Sequence, residues 1–144
     1  MPFFKKTLIA MLSVSLLLGC SALKDDDDDN SAAKTSFSGK VADGYLVGAK
    51  VCLDINSNKV CDDGESSTTS TSGGGFFIES VTQEQLDSSP LLVEVIVGET
   101  VDEDNPGVFI DKKFTLTAPA GYAFVSPLTT MVQSQIEDLG LSIE

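Results

Sequence analysis

The chain has 144 residues, and its nine cationic residues are outnumbered by 22 carboxylates, so the formal net charge is −13. Such a surface repels nucleic acid and anionic lipid headgroups and is compatible with divalent cations, although secreted proteins from saline habitats are often equally acidic. Histidine is absent from the sequence, which excludes Ser-His and Cys-His nucleophile systems and imidazole metal ligands. We therefore expect a protein that is not an enzyme.

Residues 1–19 have the pattern of a secretory signal peptide. Two lysines precede an apolar run over 8–18 that is too short to span a membrane as a helix. The run ends in Leu-Leu-Gly-Cys at Cys20, which resembles the lipobox of bacterial lipoproteins. This resemblance implies cleavage before Cys20, a lipid anchor on Cys20 and, because Ser21 follows, passage to the outer membrane. The alternative is an ordinary signal peptide followed by an unrelated cysteine.

A lipidated acidic tether is predicted over 20–36. It consists mostly of Ser, Ala and Lys with five consecutive aspartates at 25–29, and no large apolar residue follows Leu23. This composition is typical of disordered chain. A flexible segment of this length reaches roughly 20–24 Å, which would hold the next domain just outside the lipid headgroups, in the periplasm or at the cell surface. Acidic residues soon after a lipidated cysteine also resemble the surface-export signals of some bacterial lipoproteins.

Between 37 and 122 the sequence predicts short strands separated by turns that are rich in Gly and Asp. A helical turn is expected at 82–86, and the apolar segment 91–97 is expected to be a buried central strand. About six or seven such strands favour a two-sheet β-sandwich. The predicted strands are 37–41, 49–54, 76–80, 91–97, 108–110 and 113–118. The last two are expected to pair across the turn 102–107 or across 111–112.

Alternation along 49–54 predicts which side chains of that strand face the core. Leu53 and Ile55 are expected on the core face, whereas Cys52 and Asp54 are expected on the solvent face.

An amphipathic helix is predicted in the C-terminal segment 123–144. Ser126 is a good N-cap, Pro127 suits the first helical position, and Gly140 suits the end of the helix. The apolar stripe of this helix must dock somewhere, either on one edge of the sandwich or in a second domain that this chain lacks. The stripe residues at helical spacing are Leu128, Met131, Val132, Gln135, Ile136 and Leu139.

The twelve residues 54–65 have calcium-ligand spacing. Oxygen-bearing side chains occupy positions 1, 3, 5, 9 and 12, which are Asp54, Asn56, Asn58, Asp62 and Glu65. The alternative is an acidic, Asn-rich surface loop whose side chains only form turns. Because a strand precedes the loop and Ser/Thr-rich coil follows it, bound calcium would brace the loop and would not open paired helices.

Cys52 and Cys61 are the only cysteines that remain once Cys20 is lipidated. In an oxidising compartment an even pair this close predicts a disulfide, and two buried free thiols are the alternative. In the chain-entropy model such a crosslink stabilises the fold by about 2.7 kcal/mol.

Several segments resemble a known kind of module: Gly-Lys-Val-Ala-Asp-Gly at 39–44, Asp-Ile-Asn-Ser-Asn at 54–58, Asp-Asp-Gly-Glu at 62–65 and Gly-Phe-Phe at 75–77. They are similar to the B-repeat domains of staphylococcal serine-aspartate repeat adhesins and to the carboxypeptidase-regulatory-like modules of bacterial surface lipoproteins. The resemblance covers roughly 37–97. It implies an all-β fold, an immunoglobulin-like or transthyretin-like β-sandwich, which in this chain carries a short C-terminal helix.

The same resemblance implies a structural Ca²⁺ ion in the loop, with affinity in the 10⁻⁴–10⁻³ M range of extracellular modules. Lys59 departs from the pattern, because glycine is usual at this sixth position and a side chain in the left-handed region costs on the order of 1 kcal/mol. The implied ligands are Asp54, Asn56, Asn58, the Val60 carbonyl, Asp62 and Glu65.

The function expected from the sequence is that of a non-enzymatic outer-membrane lipoprotein whose calcium-stabilised domain serves as an adhesion or spacer module. Its partners would be the membrane, through the lipid anchor, and a surface polysaccharide or protein. The alternative is a truncated N-terminal accessory module of a larger enzyme or ligand-binding lipoprotein, since similar lipoproteins are commonly much longer.

Overall fold

The computed structural model describes residues 32–141. The predicted signal peptide, the lipidation site Cys20 and most of the predicted tether lie outside these residues. The described strands are β1 (Lys34–Val41), β2 (Leu46–Val47), β3 (Lys50–Leu53), β4 (Ser67–Thr69), β5 (Gly75–Thr82), β6 (Leu91–Glu94), β7 (Val101–Asp102), β8 (Thr115–Ala118) and β9 (Phe124–Val125). The helices are α1 (Gln83–Ser88) and α2 (Pro127–Leu139), and a short 3₁₀ turn covers Ser72–Gly74.

Two sheets form the body of the domain. One has the strand order β5-β1-β9, in which β1 is antiparallel to β5 and parallel to β9. The other is antiparallel with the order β4-β3-β6-β8, and β2 pairs with β7 as a small separate ladder. Buried side chains from both sheets form a shared core, so the fold is mainly β, as predicted, with two packed sheets. The larger members of this core are Val41, Leu46, Val51, Leu53, Phe76, Ile78, Val81, Leu86, Leu91, Val93, Val95, Leu116 and Val125.

Five of the six predicted strands match observed ones with shifted ends, whereas 108–110 is not a strand and contributes only an isolated bridge at Phe109. β1 begins at Lys34, three residues before the predicted domain start, and β6 is the buried inner strand expected within 91–97. β8 pairs with β6 and not with 108–110, because Phe109 bridges Val101 across the turn 102–107 instead. The predicted helical turn is α1, which begins at a capping box formed by Thr82 and Gln85.

The predicted faces of β3 are partly wrong. Cys52 and Asp54, expected in solvent, are 0% and 2% exposed, whereas Ile55, expected in the core, is 46% exposed. The cause is the loop 54–65, which folds back over the outer face of β3 and buries Cys61 against Cys52 and Leu92. Since β3 ends at Leu53, the alternation that was extended to Ile55 stops before that residue.

Helix α2 has the predicted caps. The Ser126 hydroxyl accepts from the Thr129 N–H, Pro127 is the first helical residue, and Gly140 adopts a left-handed φ of 62°. No helix within 32–141 has both the length and the apolar composition needed to cross a bilayer.

Helix α2 docks on the edge strand β8 through hydroxyl groups. The Thr117 N–H donates to Thr130 Oγ1 at 2.9 Å, and the Thr129 hydroxyl donates to the Thr117 carbonyl at 2.8 Å. Gln133, one turn further along, is only 8% exposed. The helix therefore covers one edge of the sandwich, which was one of the two expected outcomes, but it does so with its polar side.

Candidate metal centre

The first residue of the loop is a buried carboxylate. Asp54 follows the end of β3, and its own N–H donates to the Pro90 carbonyl at 3.0 Å. One of its carboxylate oxygens accepts from the Asn58 N–H at 3.0 Å, and the other accepts from the Lys59 N–H at 2.9 Å. Two backbone donors thus compensate a charged group that is almost fully removed from water.

Two asparagines shape the next turn and converge on one carboxylate. Asn56 Oδ1 accepts from the Asn58 N–H at 3.0 Å, and Asn58 Oδ1 accepts from the Val60 N–H at 2.8 Å, so each side chain forms an Asx turn. The two amide groups donate to the same oxygen of Asp62, at 2.9 Å from Asn56 and 2.7 Å from Asn58. These hydrogen bonds, with a smaller contribution from the charge of Lys50, lower the pKa of Asp62 below its ordinary value.

Glu65 closes the loop on itself. Its two carboxylate oxygens accept from the Ile55 N–H at 2.8 Å and from the Asp62 N–H at 3.1 Å. Through these two hydrogen bonds the side chain of Glu65, the twelfth loop residue, fixes the backbone of Ile55 and Asp62, the second and the ninth. Asp54, Asn56, Asn58, Asp62 and Glu65 therefore form one connected hydrogen-bond network.

Lys59 has the unfavourable backbone conformation that its position predicts. Its φ is 63°, in the left-handed region where glycine is preferred. Its ammonium group leaves the loop and contacts Glu137 Oε2 of α2 at 2.7 Å. This hydrogen-bonded ion pair raises the pKa of Lys59 and lowers the pKa of Glu137.

The predicted disulfide between Cys52 and Cys61 is confirmed, with a Cα–Cα distance of 5.7 Å. It joins β3 to the eighth position of the loop, and both sulfurs are buried beside Leu92. From the same strand, the Lys50 ammonium donates to the Cys61 carbonyl at 2.7 Å. Strand β3 therefore holds the loop at one point through a covalent bond and an adjacent hydrogen bond.

The donor set fits a hard cation in composition, since carboxylate and amide oxygens are what calcium prefers. In the described residues, however, no group of three or more acidic, cysteine or histidine side chains has the arrangement of a metal site. The carboxylate oxygens of Asp54 and Glu65 accept from backbone N–H groups, and the side-chain amides of Asn56 and Asn58 both donate to one oxygen of Asp62. The amide N–H groups of Asn56 and Asn58 are thus the positively polarised partners of the Asp62 carboxylate. The calcium ligand set, including the Val60 carbonyl, stays a prediction.

Two residues at the loop were not predicted from the sequence. Lys50 lies within the predicted strand 49–54, but nothing in its spacing indicates a contact with the loop backbone. Glu137 lies 78 positions from Lys59, and only the docking of α2 brings the two together.

Comparisons with protein-family models, with curated proteins and with solved structures find no match to this chain. The resemblance to adhesin B-repeats and regulatory-like modules therefore stays a hypothesis from sequence. The functional interpretation rests on the loop geometry and on the composition of the chain.

Proposed function

We propose that the chain is a non-enzymatic outer-membrane lipoprotein, held by a lipid on Cys20, whose domain is a calcium-stabilised adhesion or spacer module. The domain itself is proposed to be an immunoglobulin-like or transthyretin-like sandwich. It would face the periplasm or the cell exterior at the end of the acidic tether.

The observation that supports this proposal is the closure of the loop 54–65 on itself. Four of its side chains, Asp54, Asn56, Asn58 and Glu65, satisfy backbone N–H groups of the same loop, and Asn56 and Asn58 both reach Asp62. This convergence is what a chain needs if it is to surround a cation with oxygen ligands. A surface loop that only forms local turns does not need Glu65 to reach back to Ile55.

Calcium would supply positive charge in place of the two amide N–H groups. The Asn56 and Asn58 side chains would then turn their oxygens toward the centre of the loop, and Asp62 would keep an opposite charge beside it. One ammonium group contacts this loop, because Lys50 donates to the Cys61 carbonyl. Its positive charge opposes the binding of calcium, which agrees with the weak affinity of extracellular modules, about 10⁻⁴–10⁻³ M.

Thermal unfolding of the oxidised protein tests the calcium site. Free calcium at ten times its dissociation constant is expected to stabilise the domain by about 1.4 kcal/mol relative to chelator, and the midpoint should rise accordingly. Magnesium should act less, because it demands a smaller and stricter octahedral shell.

Asp62→Asn is the informative variant for this measurement. Asp62 accepts only the two amides through its side chain, so its replacement should abolish the calcium shift with little change in the chelator-treated protein. Asp104→Asn, in the acidic turn 102–107, is the matched control and should keep the shift. A wild-type midpoint that is the same with calcium and with chelator would reject the site.

The lipid anchor is tested separately. Cys20→Ser should move the protein from the membrane fraction to the soluble fraction, with the Cys52–Cys61 disulfide still formed. If the Cys20→Ser protein stays in the membrane fraction under conditions that remove peripheral proteins, the lipoprotein assignment is wrong.

A further inference from the structure

Helix α2 exposes a continuous apolar surface, which we call the α2 stripe. Leu128, Met131 and Leu139 are 70%, 67% and 66% exposed, and Val132 is 44% exposed. The sequence predicts that such a stripe docks on the core. In the structure the opposite, polar side of the helix is docked, so most of the stripe faces outward, and Ile136 at its margin is half-buried. The residues of the α2 stripe are Leu128, Met131, Val132, Gln135, Ile136 and Leu139, and the exposed Leu141, just beyond the end of the helix, lines the same surface.

A stripe of this kind indicates an interaction surface. Single exposed apolar side chains are ordinary on protein surfaces, but a contiguous set along three helical turns is typical of a contact with another molecule. The helix does not need the stripe for its own attachment. The hydroxyls of Thr129 and Thr130 already hydrogen-bond to β8, and Gln133 on the same side of the helix is buried.

The order of residues in the stripe is symmetric about the middle of the helix. Reflection about the point between Gln133 and Ser134 exchanges Leu128 with Leu139, Met131 with Ile136, and Val132 with Gln135. In a two-fold contact between identical helices that run antiparallel, residue i meets residue j and residue j meets residue i. The large apolar side chains of the stripe would therefore meet large apolar side chains at both ends, with Val132 against Gln135 near the axis.

The charges of α2 favour the same arrangement. The helix carries carboxylates at its C-terminal end, Glu137 and Asp138, and no charged residue in its first turn. Asp138 is seven residues after Met131 and so flanks the stripe. A parallel pair would bring the two Asp138 side chains together, whereas an antiparallel pair places each near the N-terminus of the other helix, where the helix dipole is favourable to negative charge.

We propose that the α2 stripe binds the α2 stripe of a second copy of this chain, antiparallel, and so forms a two-fold symmetric dimer. A helix of 13 residues is about 20 Å long, so the contact is smaller than the roughly 800 Å² per partner of a standard stable interface. The dimer is therefore weak. Because each copy carries a net charge of −13, added salt should strengthen it by screening the repulsion between copies.

Thiol crosslinking in membranes tests the proposal with the full chain. One variant carries Leu128→Cys and another carries Leu139→Cys, each with its own tag, and a short bis-maleimide joins thiols that lie close together. In the antiparallel dimer Leu128 of one copy lies against Leu139 of the other, so a crosslinked product containing both tags is expected only when the two variants are expressed together. Glu84→Cys, on the exposed surface of α1, gives the background level.

The outcomes of this experiment are distinct. A mixed product well above background, with little product from either variant alone, supports the antiparallel dimer. Strong crosslinking of Leu128→Cys to itself and of Leu139→Cys to itself indicates a parallel pair and overturns the proposal. Mixed product at the Glu84→Cys level also overturns it, because some other molecule or nothing then covers the stripe.

A charge substitution gives an independent readout. Met131→Glu, added to both the Leu128→Cys and the Leu139→Cys variants, places a carboxylate within the apolar contact and should reduce the mixed crosslink to the Glu84→Cys level. The same change should leave the thermal midpoint unaltered, since the Met131 side chain is 67% exposed. A mixed crosslink that survives a glutamate at this position on both copies is incompatible with the proposed contact.

Discussion

The loop 54–65 and the turn 102–107 are both acidic, yet they use their carboxylates in opposite ways. In the loop, Asp54 and Glu65 accept from N–H groups of the loop itself. In the turn, Asp102 accepts only from near neighbours, and Glu103 leaves the turn to accept from the Gly73 N–H at 3.0 Å and the Ser72 hydroxyl at 3.0 Å. Acidic composition alone therefore does not identify a cation site. A loop whose oxygens converge on its own interior can bind a cation. A turn whose carboxylate holds a neighbouring segment could bind a cation only if it gave up its hydrogen bonds to that segment.

The largest difference between the two segments is the disulfide, which only the loop has. Changing Cys52 and Cys61 together to alanine should lower the free energy of unfolding by about 2.7 kcal/mol, because the open chain regains loop entropy. Urea unfolding of the oxidised wild type and of the variant measures the change, and reduction of the wild type should reproduce it. A loss below about 0.5 kcal/mol would show that the hydrogen bonds of the loop suffice without the crosslink.

The next comparison sets one aspartate of each segment against the other. Asp54→Ala leaves the Lys59 N–H without its acceptor beside a buried position, whereas the Asn58 N–H keeps Asn56 Oδ1, so the change should cost about 1–3 kcal/mol. Asp102→Ala removes acceptors from a half-buried turn that water can reach, so it should cost less, about 0.5–1.5 kcal/mol. Equal costs in chemical denaturation would contradict the distinction between a closed loop and an open turn.

Much of this architecture follows from local chemistry and was therefore predictable. Ser126, Pro127 and Gly140 determine the ends of α2 by themselves, because caps depend on a few adjacent residues. The disulfide was also predictable, because Cys52 and Cys61 lie only nine positions apart in the sequence.

The features that the sequence did not reveal depend on how distant segments fold over one another. Asp54 is buried because the loop covers the outer face of β3, and no period-two pattern contains that information. The outward orientation of the α2 stripe arises because Thr117, on the edge strand β8, donates its N–H to the Thr130 hydroxyl and accepts from the Thr129 hydroxyl at its carbonyl. That β8 is an edge strand is known only once the sheet order is known.

A smaller effect is expected at Lys59, which, like Ser57, has a left-handed backbone conformation within the loop. Lys59→Gly removes a left-handed Cβ, worth on the order of 1 kcal/mol, but it also removes an exposed ion pair worth about 0–1 kcal/mol. The net change should be a stabilisation of less than about 1 kcal/mol. Glu137→Gln removes the ion pair alone, so the difference between the two variants isolates the backbone strain. If Lys59→Gly is the less stable of the two, the strain is not released by glycine.

The smallest expected effect is the dependence of loop stability on pH. The pKa of Glu137 and the pKa of Asp62 are lowered in the folded protein by hydrogen bonds, so their contribution is present above pH of about 4–5 and is lost as the pH falls through the lowered values. The pKa of Lys59 is raised, so its contribution is present below pH of about 10 and is lost as the pH rises through the raised value. Unfolding midpoints of wild type and Glu137→Gln across pH 3–11 should therefore differ most at neutral pH. A constant difference over that range would exclude the ion pair as its cause.

The parallel pairing of β1 with β9 has a mechanical consequence for a domain that is pulled by its two ends. β1 is the first described strand and β9 the last, and their ladder includes hydrogen bonds of 2.8 Å from the Lys40 N–H to the Ala123 carbonyl and from the Ala42 N–H to the Val125 carbonyl. When the N-terminal end is pulled one way and the C-terminal end the other, parallel strands slide along each other and load these bonds together. An antiparallel terminal pair would instead open one bond at a time. Once α2 has unfolded under the applied force, the β1–β9 ladder should therefore resist further extension. Pulling single molecules by their two ends measures the force at which the two strands separate.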